Sequence, residues 1–422
     1  MTWDPTGALS TLARRVPAFD FPPPSGPIIF NFDQGLPAHE TFPLDDLRRI
    51  AVEVLDRDGG WALEYITFLP GEGEGYVTRY PEMVRGHQGL RERIAEWIGA
   101  TNRRPDLGPG NVVLTSGAVQ AIALVAAAFA GPGDGVVVEA PTFPYAQRYL
   151  TMLGADVRAV PVDADGLDVD ALERTLHALR ADGVRPRLVY TIPTFHLPTG
   201  TCLPLDRRRR LLELAGEWDL CVVEDAIYAD LRYDGEPLPS LLELDGDGRV
   251  IQVHAFSKLV APGIRLGWAV GTEAAVDCLA RVRTDLGVSQ WLARIMERFL
   301  AEGRLVPHLA RAVEVYRRRR DLTVDSVRRH LGDRARFVVP EGGFYLWVEL
   351  LGDLDAERVR AAAVDRGVLC RPGEAFGGTG GPGGSRHLRI AFSHTRPADI
   401  ERGIARLAEA VAACEAGGGA HA

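Results

Sequence analysis

Lys258 is the only lysine among the 48 basic residues of the chain; all the others are arginine. The sequence is rich in Ala, Gly and Arg, as G+C-rich genomes produce, and in such a sequence arginine serves wherever a surface charge is enough. A lysine that remains has either survived by chance or does something arginine cannot. Arginine stays protonated near neutral pH, whereas a lysine amine can be tuned into a nucleophile. The neighbours of Lys258 suit the second reading. In His254-Ala-Phe-Ser-Lys-Leu-Val-Ala-Pro-Gly-Ile-Arg-Leu-Gly-Trp268 the Ser257 hydroxyl lies beside the lysine and Arg265 follows seven residues later. An aldehyde cofactor that carries a phosphate would use all three, Lys258 for a Schiff base, Ser257 and Arg265 for the phosphate.

Two further segments fit that chemistry. In Cys221-Val-Val-Glu-Asp-Ala-Ile-Tyr228 an acid ends an apolar run and a tyrosine follows three residues on. Asp225 would keep a pyridine nitrogen protonated, which makes the ring an electron sink, and Tyr228 would donate to a phenolic oxygen on that ring. Alone, such a pair is more often a cap beside a surface aromatic. Thr115-Ser-Gly-Ala-Val-Gln120 reads as a strand-to-helix turn, whose first backbone amides bind phosphate; many turns between a strand and a helix read this way.

The elements that must hold these residues alternate. Short apolar runs at 112–115, 136–139, 188–192, 221–224, 250–255 and 268–270 are separated by helical spacing, as at 118–130 and 207–218. Helices are also expected at 43–56 and 90–98. Strands alternating with helices predict a mostly parallel sheet covered on both faces, with ligands at its carboxyl edge. From 290 the pattern changes to a long helical stretch reaching 330, broken near Pro307. Strands at 336–339, 344–350 and 388–392 and a helix at 356–366 follow. Residues 1–28, with Pro17, Pro22, Pro23, Pro24 and Pro27, read as an extended arm. Gly377–Gly384 is flexible by composition.

Composition sets outer limits. The length, 422 residues, suits two or three domains. The net charge of −9 argues against a nucleic-acid binder while permitting a local basic pocket. No apolar run reaches a membrane span of about 18 residues. The five cysteines form no CxxC pair and read as reduced thiols. The first residues lack the basic-then-apolar order of a signal peptide, so a cytoplasmic location is expected.

Taken together, the three segments resemble the fold-type I pyridoxal-phosphate (PLP) enzymes of the class I/II aminotransferase group, in particular kynurenine/2-aminoadipate aminotransferases and the aminotransferase domains of MocR regulators. The resemblance covers roughly residues 28–410. Phe-Ser-Lys-x-x-x-Pro-Gly-x-Arg, at 256–265, is its most specific motif. It implies an α/β fold, with a large domain built on a mostly parallel seven-stranded sheet and a smaller α+β domain. The expected divisions are an arm and substrate-closing segment at 1–45, the PLP domain at 46–290, the small domain at 291–412 and a flexible tail at 413–422.

The resemblance also implies roles. Lys258 matches the Schiff-base lysine and proton shuttle, Asp225 the ring-nitrogen partner, and Tyr228 the partner of the phenolate. Gly117, Ala118 and Val119 match the phosphate turn, with Ser257 and Arg265. Phe143 matches the aromatic that stacks on the ring. Arg389 matches the arginine that forks onto the substrate α-carboxylate. Gly35, in Gln34-Gly-Leu-Pro37, belongs to the segment that closes over the substrate. Tyr80 would reach the phosphate across a dimer interface, but its spacing to Gly86 is one residue longer than usual, and Tyr76 is a rival.

There are departures. Leu197-Pro-Thr-Gly200 stands where the family reads Asn-Pro-Thr-Gly, and leucine cannot donate to the phenolic oxygen as that asparagine does. Tyr228 would be left as the main donor, and the imine should hold its proton more strongly. His196 could compensate or point away. Ala255 and Val119 make the cofactor cup less polar than usual. These changes are either drift in an ordinary transaminase or altered chemistry on the same scaffold. Glu72 and Glu74 are either a solvated loop or a pair that favours a cationic substrate.

The expectation is a cytoplasmic homodimeric PLP enzyme with shared active sites that acts on an α-amino acid as its small-molecule substrate, most simply as an aminotransferase. The alternative within this class is elimination, replacement, cyclisation or carbon–carbon bond formation, for example on an arginine-like or S-adenosyl substrate. A MocR-like regulator that holds PLP without turnover is the rival of another class, disfavoured because no helix-turn-helix segment is read. No metal, nucleic acid or membrane partner is expected.

Overall fold

The structure, a computed structural model, describes residues 6–16, 26–65, 68–70, 76–78, 80–377 and 386–418. Its larger sheet has eight strands: β1 (Val112–Thr115), β2 (Gly135–Ala140), β3 (Asp156–Asp163), β4 (Gly166–Leu167), β5 (Pro186–Thr191), β6 (Cys221–Asp225), β7 (Val250–Ala255) and β8 (Gly267–Val270). They lie in the order β1-β8-β7-β6-β5-β2-β3-β4. From β7 through β6, β5 and β2 to β3 every pair is parallel; β8 runs antiparallel to both its neighbours. The sheet has one strand more than the seven expected. The extra one, β4, is a two-residue strand that folds back on β3 at the edge.

Sequence explains this sheet. β1, β2 and β7 are buried at every position, so both faces are covered and near-continuous apolar runs replace alternation. Helix α3, at Ala118–Phe129 and third after α1 (Leu44–Asp58) and α2 (Gln88–Thr101), packs on β7 and β8. At the end of β7, Trp268 of β8 is fully buried and stacks on His254, with ring centroids 5.0 Å apart.

The long helical stretch is two helices, α4 (Gln290–Ala301) and α5 (Leu305–Leu331). The break falls before Pro307, at Gly303, whose φ of +65° suits glycine. Pro307 instead sits in the first turn of α5, where its missing N–H costs no helical hydrogen bond. α4 packs on α1 and α2, whereas α5 packs on α6 (Pro397–Gly418). The N-terminal arm is not wholly extended either: Thr11–Arg14 forms one helical turn, capped by the Ser10 hydroxyl. The prolines at 17 and 22–24 lie outside the described residues.

A second sheet, antiparallel, holds β9 (Ala335–Arg336), β10 (Tyr345–Leu350), β11 (Arg371–Pro372) and β12 (His387–Ala391) in the order β9-β10-β12-β11. β9 is shorter than the strand expected at 336–339. Phe30–Asn31 pairs in parallel with Val368–Leu369. Phe32, fully buried, continues this stitching: its N–H donates to Leu369 O, and Ala391 N–H donates to its carbonyl, both at 2.7 Å. The chain at Asp33 therefore leaves the smaller sheet at a fixed point.

Gly267 marks the tightest place in the large sheet. A Cβ there would lie 2.7 Å from the Gly117 carbonyl carbon and 2.7 Å from the His254 carbonyl oxygen, both backbone atoms. Gly267→Ala is expected to cost about 1–3 kcal/mol by overpacking and to lower the urea midpoint. An unchanged midpoint would show that the strand ends have slack.

Candidate active site

The carboxyl ends of neighbouring strands carry the residues singled out by sequence. β1 ends before Gly117, β6 ends on Asp225, and β7 leads into the single turn Phe256–Leu259 that holds Ser257 and Lys258. The Lys258 Nζ donates to the Gly35 carbonyl at 2.6 Å. It lies 5.9 Å from the ring centroids of both Tyr228 and Phe344. Burial, followed by the positive charges of Arg389 and Arg265, draws its pKa down from 10.5 to about 8, with Asp225 pulling the other way. Desolvation and like charge both disfavour the ammonium.

Asp225 is buried. Its carboxylate accepts from the Tyr190 hydroxyl at 2.7 Å and from the Ile227 N–H at 3.2 Å. Burial still raises its pKa, and the two hydrogen bonds oppose this only in part. A cationic N–H donor is the partner that such a carboxylate suits best.

Tyr228, also buried, has its hydroxyl 2.7 Å from the Tyr345 hydroxyl. Tyr345 stands on β10, opposite Ala391 of β12. Gly35 packs where the Tyr345 hydroxyl and ring tip would collide with any Cβ, so a glycine is required there.

The phosphate turn is a second cluster. Gly117, with φ +102°, precedes α3, and Arg265 donates from Nη2 to the Ser116 carbonyl at 2.9 Å. A Cβ on Gly117 would lie 3.0 Å from the same Nη2. Ala118 and Val119 open α3, and the first N–H groups of a helix have no partner within it. A guanidinium, a left-handed glycine and a helix N-terminus together form a cradle for an anion.

Arg389, on β12, is buried. Its Nη2 donates to the Asp33 carbonyl and lies 3.6 Å from the Asp33 carboxylate. Its guanidinium carbon stands 4.6 Å from the Tyr345 ring centroid and 4.9 Å from that of Phe376, while its Nε has no hydrogen-bond partner. Arg371, directly opposite Arg389 in the sheet, holds the Asp33 carboxylate through two hydrogen bonds of 2.5 and 2.6 Å. Burial alone would raise the Asp33 pKa; Arg371, helped by Arg389, outweighs it, and the carboxyl falls below its ordinary value.

The other expected residues have the following surroundings. Phe143 is half-buried at the start of the helix Pro144–Leu153, and its ring partner is Tyr145, 5.4 Å away. Leu197 is buried in the core that also holds Tyr228. His196 points away from the site: its Nδ1 is 2.8 Å from the Thr199 hydroxyl and its Nε2 3.2 Å from the Glu139 carboxylate. Tyr80 opens the helix Tyr80–Arg85 and Tyr76 the strand Tyr76–Thr78, but their side chains lie outside the described residues. So do Glu72, Glu74 and residues 378–385. Tyr345, Tyr190, Phe376 and the Asp33–Arg371 pair carry no motif that singles them out in the sequence.

These donors fit a phosphorylated pyridine aldehyde. The cradle would suit a phosphate, the buried Asp225 a ring N–H, the Tyr228 hydroxyl a phenolic oxygen, and the Lys258 amine an aldehyde carbon. Among the described residues no His/Cys/Asp/Glu group could hold a metal ion, and no helix is long and apolar enough to cross a membrane.

The amine must be neutral to attack an aldehyde. Below pH 8 the rate at which cofactor-free protein takes up PLP is therefore expected to rise about tenfold per pH unit, and to level off above about 8. A rate that climbs without levelling to pH 10 would place the lysine at its ordinary value.

Comparison with known proteins agrees with this geometry. A family model described as aminotransferase class I and II matches residues 73–407. Aromatic-amino-acid aminotransferase 1 of Thermococcus litoralis is 35% identical over 379 residues, 89% of this chain and 86% of the relative. The kynurenine aminotransferase of Pyrococcus horikoshii, solved with PMP and kynurenine, superposes with a TM-score of 0.82 at 33% identity, covering 92% of each chain. The α-aminoadipate aminotransferase of Thermus thermophilus, solved with N-(5'-phosphopyridoxyl)-L-leucine, gives a TM-score of 0.84 at 32% identity, covering 98% of this chain and 100% of that one. The chain belongs to the class I and II aminotransferases, pyridoxal-phosphate-dependent transferases that act on amino acids.

Proposed function

We propose that the chain moves the amino group of an aromatic or other large apolar α-amino acid to a 2-oxo acid, with Lys258 as the proton carrier. The observation that carries this reading is the Lys258 amine: half-buried, drawn down to a pKa of about 8 by desolvation and by the charges of Arg389 and Arg265, and 5.9 Å from the ring centroids of Tyr228 and Phe344. Bound PLP supplies an aldehyde that condenses with the substrate amine and a ring that takes up the electron pair freed at Cα.

The protein's own groups do the rest. Arg265, Ser257 and the Gly117-Ala118-Val119 turn hold the phosphate. Asp225, fixed by Tyr190, keeps the ring nitrogen protonated. Tyr228 donates to the phenolic oxygen. Phe143 would stack on the ring. Arg389 grips the substrate α-carboxylate, for which its partnerless Nε and its Nη2 form a ready fork. Lys258 would carry the proton from the substrate Cα to the cofactor carbon that bears the aldehyde. The segment through Gly35 closes over the substrate and keeps water out. The aromatic preference is supported by the Tyr345 and Phe376 rings that flank Arg389. It agrees with the names of the Thermococcus and Pyrococcus relatives.

The same reading places two chains together, with Tyr80 at the neighbour's phosphate. An open apolar groove of about 370 Å³ between α1 and α4, lined by Leu44, Leu47, Ile264 and Ile295 among others, supports a partner surface. We place the enzyme in the cytoplasm, which suits its free cysteines.

Given phenylalanine or kynurenine and no acceptor, the protein is expected to release one equivalent of 2-oxo acid per site and stop. Added 2-oxo acid should restart turnover, and Lys258→Ala should slow it by at least about a thousandfold. Continuous ammonia release would contradict transamination and point to elimination. Sedimentation should give a dimer; a monomer active at nanomolar concentration would rule out shared sites.

A further inference from the structure

Leu197 removes one donor from the neighbourhood of the ring's phenolic oxygen, and His196 is turned toward Glu139 and Thr199. That leaves Tyr228, and Tyr228 is not alone. Its hydroxyl lies 2.7 Å from that of Tyr345, and both side chains are buried. Among the described residues each hydroxyl has the other as its one hydrogen-bond partner.

The direction of this bond follows from counting protons. A phenol has one O–H to give. If Tyr228 donates to the ring oxygen, it cannot also donate to Tyr345. The Tyr345 proton has no other acceptor within reach, so it goes to Tyr228. We propose that Tyr345 is a positioning residue that donates to Tyr228, so that the relay Tyr345→Tyr228→phenolic oxygen takes over the work of the asparagine that Leu197 replaces. This rests on the assignment of Tyr228 to that oxygen.

A hydroxyl that accepts a hydrogen bond becomes a stronger donor in turn. A stronger donor stabilises the phenolate and weakens its hold on the imine proton. Tyr345 therefore lowers the pH at which the lysine–cofactor imine loses its proton, offsetting the rise expected from Leu197. Other charges face the pair: Arg389 from β12, Arg371 from β11, Asp33 from the N-terminal segment and Asp225 from β6. All of them remain in a Tyr345→Phe variant. That variant keeps the ring that packs on Tyr228, Arg389 and Gly35 and removes only the hydroxyl.

The test is a spectrophotometric pH titration of the PLP-loaded protein without substrate. Tyr345→Phe should move the imine midpoint up by about half a pH unit, roughly threefold in acidity. Tyr228→Phe should move it further, and adding Tyr345→Phe to Tyr228→Phe should then change nothing. Leu197→Asn should move it down and shrink the Tyr345→Phe shift, because the oxygen then has a direct second donor. If Tyr345→Phe alone fails to load cofactor, the same comparison is made in the Leu197→Asn background. A midpoint unmoved by Tyr345→Phe but moved by Tyr228→Phe overturns the relay and leaves the site assignment standing. A midpoint unmoved by Tyr228→Phe overturns the assignment itself.

Discussion

An amine partly withdrawn from water and within the field of two guanidinium groups gives up its proton more readily than one in solvent, and the rest of this site is arranged around that fact. Lys258 is half-buried and close enough to Arg389 and Arg265 to feel both charges, and its pKa falls to about 8. The same burial raises Asp225 and lowers Arg389. Each group is charged most comfortably only when an opposite charge is brought to it. In the proposed reading a phosphate for Arg265, a ring N–H for Asp225 and a carboxylate for Arg389 would be three such charges, brought by one cofactor and one substrate. Desolvation thus prepares the site for its ligands instead of spending them to neutralise it.

Holding three charges in place requires rigid supports that are distant in sequence. The large sheet provides the first: its parallel strands end side by side, so Asp225, Lys258 and Gly117 need only short turns to meet. The smaller sheet provides the second. Arg389 and Arg371 face each other on adjacent strands, and Asp33 lies between them, bound to Arg371 through both oxygens. This clasp sets where the N-terminal segment crosses from one sheet to the other. Ser393 adds a hydrogen bond to the Leu36 carbonyl at 2.7 Å, so Gly35 is pinned on both sides. In the proposed reading a substrate carboxylate at Arg389 would compete with the Asp33 carbonyl, and substrate binding would then be coupled to the position of the N-terminal segment.

What could be read from the sequence was local. The strand ends at Asp225 and at Lys258, the turn at Gly117 and the spacing to Arg265 are each written within a few residues, and the unique lysine stood out by composition alone. Helices and strands of the large sheet fell close to where their apolar runs placed them. Features set by long-range register were not legible. Tyr345 looks like any strand aromatic until β10 is aligned with β12 and brought against Tyr228. Arg371 is one arginine among many until it is seen opposite Arg389. The helix break moved to Gly303 because a proline in a first turn breaks nothing. β4 is too short to leave a pattern. Leu197 was visible as a departure, but its compensation lies 148 residues away in sequence, on a strand that gave no chemical hint.

Because the chain has one lysine, its amine can be observed without assignment. Protein grown with lysine labelled at the ζ nitrogen carries a single labelled side chain, and an NMR titration of the cofactor-free form reads its ionisation directly. The account predicts one signal with a midpoint near 8, which disappears into an imine signal when PLP is added. A midpoint near the ordinary 10.5, or a signal that PLP leaves unchanged, would contradict the claim that a desolvated Lys258 is the centre of this site.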